Sequence, residues 1–378
     1  MKEKPEKRKR KARVHRGPVA EIDLAALQHN LQIMRSMAGK RDVIGVVKAD
    51  AYGHGSVEVA RRLVAAGAAG LAVAYTDEAK LLREGGITVP ILVFVDQENP
   101  DDYFRYDLVP VLRDRRTVQV FSDEARKRGM RTPVHMKIDT GMGRIGFRPE
   151  QTVEAALEIA GMEGLRLEGL MSHFSEADLG DGTYARQQLR IFSDLRDAIQ
   201  LRTGLRLRCH IANSAAVLSL PDALFDAVRP GIALYGCSPF VESFGLRPVL
   251  SLRSEVLAVR NLPAATAVSY GRTFVTKRDS RIAVIPVGYA DGYNRLFSNN
   301  AEMLLKGCRV PVVGRVCMDM TMLDVTDVPN VSEGDEVMIL GRQGEELITA
   351  AELAGRINTI PYEILTSLGT PARKAYFN

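Results

Sequence analysis

Eight short apolar runs, rich in β-branched residues, alternate with longer amphipathic stretches between residues 43 and 230. Repeated strand–helix units of this kind predict an α/β fold with a parallel sheet. Eight of them favour a closed (β/α)8 barrel of the TIM type over an open doubly wound sheet. The runs are VIGVV (43–47), GLAVA (70–74), ILVFV (91–95), LVPVL (108–112), VHMKI (134–138), LEGLM (167–171), LRCHI (207–211) and DAVRP (226–230). After the second run we expect a helix that is capped by Thr76 or Asp77 and stops at Gly85–Gly86.

The chain changes character after about residue 248, where strand-like runs are divided by Gly, Asp and Asn. This pattern is typical of a separate, mostly-β domain. Only ITAAELAGRIN (348–358) and the segment after Pro361 are expected to be helical there. We therefore predict a disordered basic tail over residues 1–17, a barrel over 18–248 and a C-terminal β domain over 249–378.

The net charge of +5 comes from the first residues of the chain. Residues 1–16 contain nine Lys or Arg and two Glu, a contribution of +7 that leaves −2 for the rest, so nucleic acid is not an expected partner. The tail lacks the apolar run of a signal peptide, and no stretch approaches the roughly 18 consecutive apolar residues of a membrane-spanning helix. Four cysteines without CxxC pairing favour a cytoplasmic protein. No histidine spacing indicates a metal site.

Polar side chains follow the predicted strands at the ends where barrel enzymes collect their chemistry. They are Lys48, Lys137, Asp139, His173, Asn213, Ser214 and Arg229. A lysine that follows a buried run is partly desolvated, which favours the neutral amine needed to attack a carbonyl. An amine, hydroxyls, backbone amides and an arginine on one rim can hold an aldehyde cofactor that carries an anionic phosphate.

The segment GMGRIGF (141–147) contains a literal GxGxxG directly after the fifth run. A dinucleotide site would need these glycines to open a helix whose amino end meets a pyrophosphate. The late position of the motif and the nearby Pro149 instead favour a turn that directs Arg144 into the site.

The segment VKADAYGHG (47–55) resembles the lysine motif of alanine racemases, which use pyridoxal 5′-phosphate (PLP). Further motifs follow in the order of that family, and the resemblance covers residues 18 to 378. They are KIDTGMGRIGF, SHF, ANSAA, RPGIALYG, VSYG, VGYADGY, GRVCMDM and PYE. The resemblance implies a PLP-binding barrel followed by a β domain, in a homodimer whose two active sites are shared between the subunits.

The resemblance assigns Lys48 the covalent bond to PLP, a cofactor that acts as an electron sink and acidifies the substrate α-hydrogen. Racemisation needs a base on each face of the planar carbanion, and the second base is implied to be Tyr270 of the partner subunit. A free tyrosine has a pKa near 10, so a phenol needs help to act as a base at neutral pH. His173 and Arg229 are implied to provide it. Arg229 is also implied to donate a hydrogen bond to the pyridine nitrogen.

The resemblance also assigns the groups that bind the cofactor and the substrate. The phosphate is implied to contact Ser214, the backbone amides of Gly231 and Ile232, and the hydroxyls of Tyr52 and Tyr362. The substrate is implied to meet Arg144 at its carboxylate, the Met318 amide beside it, and Tyr289 at the entrance. Lys137 matches a position that is often carbamylated in this family, as N6-carboxylysine, which would give an anion able to orient Arg144.

The implied activity is the interconversion of L-alanine and D-alanine, which supplies D-alanine for peptidoglycan. A serine or broad-specificity amino-acid racemase shares most of these motifs and remains an alternative. A barrel-type PLP amino-acid decarboxylase is a second alternative, against which Tyr270 and CMD (317–319) argue. A non-catalytic PLP-binding protein built from a barrel alone would lack the predicted β domain.

Overall fold

The computed structural model describes residues 17–179 and 181–378. The predicted basic tail over residues 1–17 therefore lies, except for Gly17, outside the described residues. The chain divides into two compact units. The barrel unit comprises Ile22–Leu250 with Tyr376–Asn378, and the β unit comprises Ser251–Ala375 with the described residues up to Glu21. The domain limits 18–248 and 249–378 stay a prediction.

The secondary-structure elements follow one another in chain order. They are β1 (Val19–Asp23), α1 (Leu24–Ala38), β2 (Asp42–Val46), α2 (Lys48–Gly53), α3 (Ser56–Ala65), β3 (Gly70–Val73), α4 (Thr76–Glu84), β4 (Ile91–Val93), α5 (Pro100–Arg105), β5 (Val109–Leu112), α6 (Arg115–Lys127), β6 (Thr132–Lys137), α7 (Pro149–Gly161), β7 (Leu165–Met171), α8 (Thr183–Thr203), β8 (Arg208–His210), α9 (Ser214–Ser219), β9 (Ala227–Val228), β10 (Leu250–Glu255), β11 (Ala258–Leu262), β12 (Ala267–Val268), β13 (Phe274–Val275), β14 (Ser280–Ile285), β15 (Glu302–Leu305), β16 (Cys308–Pro311), β17 (Thr321–Asp324), β18 (Glu336–Gln343), β19 (Glu346–Ile348), α10 (Ala350–Arg356), α11 (Pro361–Gly369) and β20 (Arg373–Phe377). Short 3-10 turns lie at Pro221–Ala223, Ile232–Tyr235, Tyr270–Arg272, Tyr289–Asp291 and Arg295–Phe297.

The barrel unit contains an eight-stranded sheet in the order β8-β7-β6-β5-β4-β3-β2-β9. Strand β2 pairs in parallel with both β3 and β9, with Val43 opposite Val228. The backbone amide of Asp226 donates to the Cys209 carbonyl at 3.1 Å, and that of Arg229 donates to the Ala212 carbonyl at 2.9 Å, which links β9 to the β8 side. The predicted (β/α)8 barrel is confirmed, and each of the eight apolar runs overlaps one strand of its sheet.

The strands of this barrel are short and buried because side chains fill the interior and helices cover the outside. All four residues of β3 are buried. The helices show the matching amphipathic spacing. Helix α6, for example, buries Val118, Phe121, Ser122 and Ala125 and begins where the Asp114 carboxylate accepts from the Thr117 amide at 2.8 Å.

Helix α4 differs in detail from its prediction. It begins at Thr76, so its N-cap is Tyr75 rather than Thr76 or Asp77, and its C-cap is Gly85 as expected. Tyr75 has no short polar side chain to cap the helix, and the Glu78 carboxylate instead accepts from the Tyr75 amide at 3.0 Å.

The β unit is built on antiparallel strands. Its largest sheet has the order β16-β15-β18-β10-β1-β20, with β19 paired to β18, and so includes β1 from the start of the chain. A three-stranded sheet, β11-β14-β17, and the β12-β13 pair complete the unit. Strand β10 alternates buried and half-buried residues, as expected for a sheet with one covered face. The two predicted helical segments are α10 and α11.

Within residues 17–179 and 181–378, no helix combines the length and the apolarity needed to cross a membrane. The same residues contain no group of three or more His, Cys, Asp or Glu side chains arranged to bind a metal ion. The four cysteines are free thiols.

Candidate active site

Lys48 lies at the carboxyl end of β2 and is followed by a left-handed turn. The four residues from Ala49 to Tyr52 have φ between 52° and 56° and ψ between 37° and 55°, which is the left-handed helical region. Each L-residue in this conformation costs about 1–2 kcal/mol. Such a turn persists only where its surroundings fix it, and strain of this kind clusters at functional sites.

Local hydrogen bonds fix the left-handed turn from its far side. The Asp50 carboxylate accepts from the Ser56 amide at 2.8 Å, and the Gly55 amide donates to the Asp50 carbonyl at 2.9 Å. The His54 Nδ1 lies 3.0 Å from the carbonyl oxygens of both Ala51 and Tyr52. These bonds compensate part of the backbone strain.

An aromatic contact holds the same turn against the barrel. The rings of Tyr52 and Tyr235 lie 4.7 Å apart between centroids, and the Tyr235 hydroxyl donates to the Val46 carbonyl at 2.8 Å. The turn is therefore tied directly to the last residue of β2.

The electrostatic surroundings of Lys48 favour its neutral form. Partial desolvation of the amine, followed by the positive charge of Arg144, lowers the pKa of Lys48, and the Glu78 carboxylate opposes this shift. The residue as a whole remains accessible. An accessible lysine with a lowered pKa is suited to attack an aldehyde carbon.

Arg229 lies on the same rim and is 3% exposed. Its Nη1 donates to the His210 carbonyl at 2.8 Å and to His210 Nδ1 at 2.7 Å, and its Nη2 donates to the Ser172 carbonyl at 2.6 Å. The His173 Nδ1 is 3.4 Å from the same Nη2. Among the described residues no carboxylate pairs with this guanidinium, and burial lowers the pKa of Arg229 to about 9.

A chain of imidazoles extends from Arg229 into the barrel. His210 Nε2 lies 2.7 Å from His135 Nδ1. A guanidinium can only donate, so His210 accepts at Nδ1 and donates from Nε2, and His135 accepts at Nδ1. Burial lowers the pKa of His135 to about 3 and that of His210 well below its usual value, so both rings are neutral at pH 7. The two rings meet beside Gly169, where a Cβ atom would lie 2.5 Å from the His135 ring.

Several predicted phosphate ligands are brought together next to β9. The buried Ser214 hydroxyl accepts from the Gly231 amide at 2.9 Å and from the Ala233 amide at 3.2 Å. A Cβ atom on Gly231 would lie 2.5 Å from the Tyr52 hydroxyl, so only glycine lets that hydroxyl approach the backbone. Ile232 follows at the start of a 3-10 turn. Two hydroxyls and the first amides of a turn at one point fit an anionic phosphate.

Lys137 is buried at the carboxyl end of β6 and is 4% exposed. Burial first, and then the charges of Arg229 and Arg144, lower its pKa well below the usual value, with Asp139 opposing. The charge of Arg144 also lowers the pKa values of Lys48 and His173. Arg144 is therefore close enough to all three groups to lower their pKa values.

The GMGRIGF segment forms a closed loop and not the start of a helix. The Phe147 amide donates to the Lys137 carbonyl at 2.9 Å, which joins the two ends of the loop. The Asp139 carboxylate accepts from the amides of Gly141 and Gly143 at 3.0 and 3.1 Å. Helix α7 begins only at Pro149. The dinucleotide interpretation is wrong, because the glycines serve a turn that carries Arg144.

The remaining predicted residues belong to the β unit and are solvent-exposed. Tyr270 is 70% exposed, and Met318, Tyr289 and Tyr362 are also exposed. The Tyr289 amide donates to the Cys317 carbonyl at 3.0 Å, which places Tyr289 beside the CMD segment. Tyr362 is the second residue of α11.

The Tyr270 segment is tied to the same CMD segment. The hydroxyl of Ser269 donates to the Arg315 carbonyl at 2.6 Å and lies 3.5 Å from the Cys317 sulfur. Ser269 itself has a φ of 65°. The structure thus brings Tyr270, Tyr289 and Met318 onto neighbouring segments of the β unit.

Three polar residues of the barrel rim and interior were not predicted from the sequence: Glu78, His135 and His210. The two histidines interrupt the apolar runs VHMKI and LRCHI. A polar side chain at a core position needs a partner, so this interruption was an available signal. Glu78 gave only the ordinary signal of an acid in the first turn of a helix.

Comparison with known proteins identifies the family. The model of the alanine racemase N-terminal domain matches residues 22–239, and that of the alanine racemase C-terminal domain matches residues 249–376. The chain is 47% identical over 361 residues to the alanine racemase of Thermodesulfovibrio yellowstonii, with 94% of this chain and 97% of that protein covered.

Two solved structures are similar over almost the whole chain. The alanine racemase from a D-cycloserine producing Streptomyces lavendulae has a TM-score of 0.92 at 34% identity and covers 96% of this chain and 98% of its own. The alanine racemase from Bartonella henselae, solved with covalently bound pyridoxal phosphate, has a TM-score of 0.86 at 28% identity, with 96% and 99% covered. Matches to both domains and a relative far above 30% identity lead to one conclusion: the chain belongs to the alanine racemase family.

Proposed function

We propose that this chain interconverts L-alanine and D-alanine by a two-base mechanism in which Lys48 and Tyr270 serve opposite faces of the substrate. As a member of its family the chain is a PLP-dependent isomerase. One observation carries the proposal most directly. A lysine with a lowered pKa shares the barrel rim with a buried arginine and with the Ser214–Gly231 phosphate site.

PLP, when bound, supplies an electron sink that makes the substrate α-hydrogen acidic. Lys48 binds the cofactor and carries the proton on one face of the α-carbon. Tyr270 carries it on the other face, so that a proton removed from one side is returned from the opposite side. Inversion requires both groups, because a single base returns the proton only to the face from which it came.

The positions of the hydrogen atoms around Arg229 support the proposal that the Tyr270 phenol acts as a base. Arg229 donates toward His173 Nδ1, so the neutral His173 ring carries its hydrogen on Nε2 and can donate it to a phenolate. A hydrogen bond to the charged form of a group lowers its pKa. We assign His173 this helping role toward Tyr270.

Arg229 has a second role toward the cofactor ring. With a pKa of about 9 it keeps its proton at neutral pH and donates a hydrogen bond without giving the proton up. A pyridine nitrogen held in this way stays neutral and withdraws less electron density than a protonated one. We propose that this limits transamination and keeps the enzyme on racemisation.

The remaining site residues bind and orient. Ser214, Tyr52, Tyr362 and the amides of Gly231 and Ile232 hold the phosphate. Arg144, with the Met318 amide, holds the substrate carboxylate, and Tyr289 controls the entrance.

We also propose that Lys137 is carbamylated. Its lowered pKa leaves a neutral amine that can bond to the carbon of CO2 and release one proton. The resulting carbamate is an anion that the charges of Arg229 and Arg144 stabilise, whereas a protonated lysine there would repel them.

We propose that the working enzyme is a homodimer with shared active sites. Tyr270 is a polar aromatic side chain that is 70% exposed although its segment is well anchored, which suits a residue that completes a site on a partner subunit. The free thiols support a cytoplasmic location, where disulfides rarely form. The product D-alanine would supply peptidoglycan synthesis.

The decisive experiment is a D-amino-acid oxidase-coupled assay on L-alanine, L-serine and L-lysine, combined with an absorbance scan of the purified protein. We expect a yellow protein and the highest kcat/KM with L-alanine. Higher kcat/KM with L-serine or L-lysine would favour the broader racemase, and CO2 release without D-amino acid would favour the decarboxylase. A colourless protein that PLP cannot reconstitute would overturn the proposal.

A further inference from the structure

Glu78 makes contacts that extend beyond its own helix. It is the third residue of α4, and its Oε2 accepts from the amides of Ala74 and Tyr75 at 2.8 and 3.0 Å. An acid at this position commonly accepts from the amide of the N-cap. These two bonds fix the carboxylate at the carboxyl end of β3 and account for its role in α4.

The other carboxylate oxygen reaches a neighbouring strand–helix unit. Glu78 Oε1 accepts from the Ala49 amide at 2.5 Å, a bond that joins residues 29 apart in sequence. Strands β2 and β3 are paired neighbours, so their carboxyl ends lie side by side. Helix α4 does not need this bond, because the other oxygen already accepts from the amide of its N-cap, Tyr75, and the Thr76 amide donates to the Asp96 carboxylate.

Ala49 is the first residue of the left-handed turn and directly follows Lys48. The bonds of Asp50, His54 and Gly55 described above anchor the later part of the turn. Glu78 is the side chain that anchors its first amide. Without that bond the strained φ of Ala49 can relax toward negative values, which would redirect the backbone that carries Lys48.

We propose that Glu78 is a positioning residue for Lys48: through the Ala49 amide, it fixes the direction in which the lysine extends from β2. The proposal rests on the proposed function of Lys48 and assigns the group that orients it. Glu78 does not touch the reacting atoms. The carboxylate also places a negative charge close to the amine, which is consistent with its opposing influence on Lys48.

The test measures how fast the full-length chain, stripped of cofactor, captures PLP. In this step the Lys48 nitrogen bonds to the aldehyde carbon, and the aldehyde oxygen leaves as water with two protons. Capture is followed by absorbance, and the modified residue is identified by mass spectrometry after borohydride reduction. Working at a pH where the amine is fully neutral removes the influence of its charge.

Two variants separate the Ala49 bond from the helix cap. Glu78→Asp keeps the charge at the start of α4 but is one methylene too short to span both sets of amides. Glu78→Gln keeps the length but has one accepting oxygen. We expect both to capture PLP more slowly by at least about tenfold, the typical size of a lost hydrogen bond to a charged group. We also expect kcat to fall by a similar factor while KM for alanine stays within about twofold, because Arg144 is unchanged.

Asp77→Asn is the matched control. Asp77 is the preceding acid of the same helical turn, and its side chain is 91% exposed. It should capture PLP at the wild-type rate. If both Glu78 variants match Asp77→Asn in capture rate and in kcat, and lose only thermal stability, Glu78 is a helix cap and the proposal is overturned. A wild-type chain that captures no PLP would instead overturn the proposed function.

Hydrogen exchange of the Ala49 amide provides a test without any variant, should the substituted chains fail to fold. Ala49 is an exposed residue, so its amide exchanges freely unless a partner protects it. We expect exchange in the holoenzyme to be slower by at least about tenfold than in an unstructured peptide. Exchange at the peptide rate would contradict the bond to Glu78.

Discussion

The barrel unit buries most of its proposed site residues, whereas the β unit exposes its own. In the barrel unit Arg229 and Lys137 are 3% and 4% exposed, and Arg229 is bonded to its neighbours. In the β unit Tyr270 is 70% exposed and Met318 is 54% exposed. The barrel unit thus presents a preorganised half of a site, whereas the β unit presents side chains that a second surface can cover. This difference favours a site completed by two chains.

The most stringent test of this comparison mixes two inactive variants. Lys48→Ala removes the cofactor-binding amine of the barrel unit, and Tyr270→Phe removes the acid–base group of the β unit. Each alone should lose roughly 10²–10⁴-fold or more in kcat. In a mixed dimer with shared sites, one site receives both wild-type groups, so an equimolar mixture should regain about a quarter of wild-type activity.

The coupled racemase assay after joint refolding of the two chains gives the readout. Mixing each variant with itself is the control. If each chain supplied both groups to its own site, the mixture would remain inactive, and the comparison would need another explanation.

Mild acid, between about pH 6.5 and 5, should weaken the barrel unit more than the β unit. All of the histidines outside the N-terminal tail lie in the barrel unit, and the sequence after residue 250 has none. The folded-state pKa values of His135 and His210 are lowered, to about 3 for His135. A histidine of this kind contributes stability that is complete above its unfolded pKa near 6.5 and is lost as the pH falls toward the folded value.

Each of these two histidines should cost the barrel unit about 1.4 kcal/mol of unfolding free energy per pH unit below pH 6.5. Urea unfolding with pulse proteolysis, which separates barrel from β-unit fragments, measures this slope. His135→Gln should remove about half of it, because the amide can accept from His210 but does not titrate. An equal slope in the β-unit fragments would contradict the assignment.

Arg229 should also control whether the enzyme racemises or transaminates its substrate. Arg229→Glu replaces a donor with a carboxylate, which accepts a hydrogen bond from a protonated pyridine nitrogen and so stabilises it. We expect the amount of pyruvate and pyridoxamine phosphate formed per racemisation turnover to rise by about tenfold or more. A tenfold rise corresponds to a change of about 1.4 kcal/mol in the difference between the activation free energies of transamination and racemisation. Arg229→Lys keeps the positive charge and serves as the control. An unchanged ratio in the folded Arg229→Glu enzyme would remove the proposed role of Arg229 in product choice.

The smallest expected effect concerns Lys137. Native mass spectrometry or crystallographic density should reveal one bound CO2 at this residue. Lys137→Ala should raise KM for alanine by about fivefold, the loss expected for one orienting hydrogen bond to Arg144. A free amine in the wild-type enzyme would show that the buried pocket tolerates an unmodified lysine.

The barrel could be predicted from the sequence because each of its strands is indicated by a short run of neighbouring residues. Each apolar run becomes a strand, and Lys48, Lys137 and Arg229 then share a rim because parallel strands end on the same side. The left-handed turn escaped prediction because KADAY contains no glycine, and its residues do not favour a positive φ. The link between His135 and His210 escaped because it depends on β6 and β8 both lying next to β7, where Gly169 leaves room for the two rings.

The backward turn after Lys48 has a practical consequence for enzyme design. A lysine placed at the end of a strand in another barrel would project along the default right-handed path. Transplanting this chemistry therefore requires moving the whole 47–56 segment together with the acid and the tyrosine that brace it, Glu78 and Tyr235. The smallest set of residues that could be transferred therefore comes from three separate parts of the chain: the 47–56 segment, Glu78 and Tyr235. A search for the lysine alone would not find the other two.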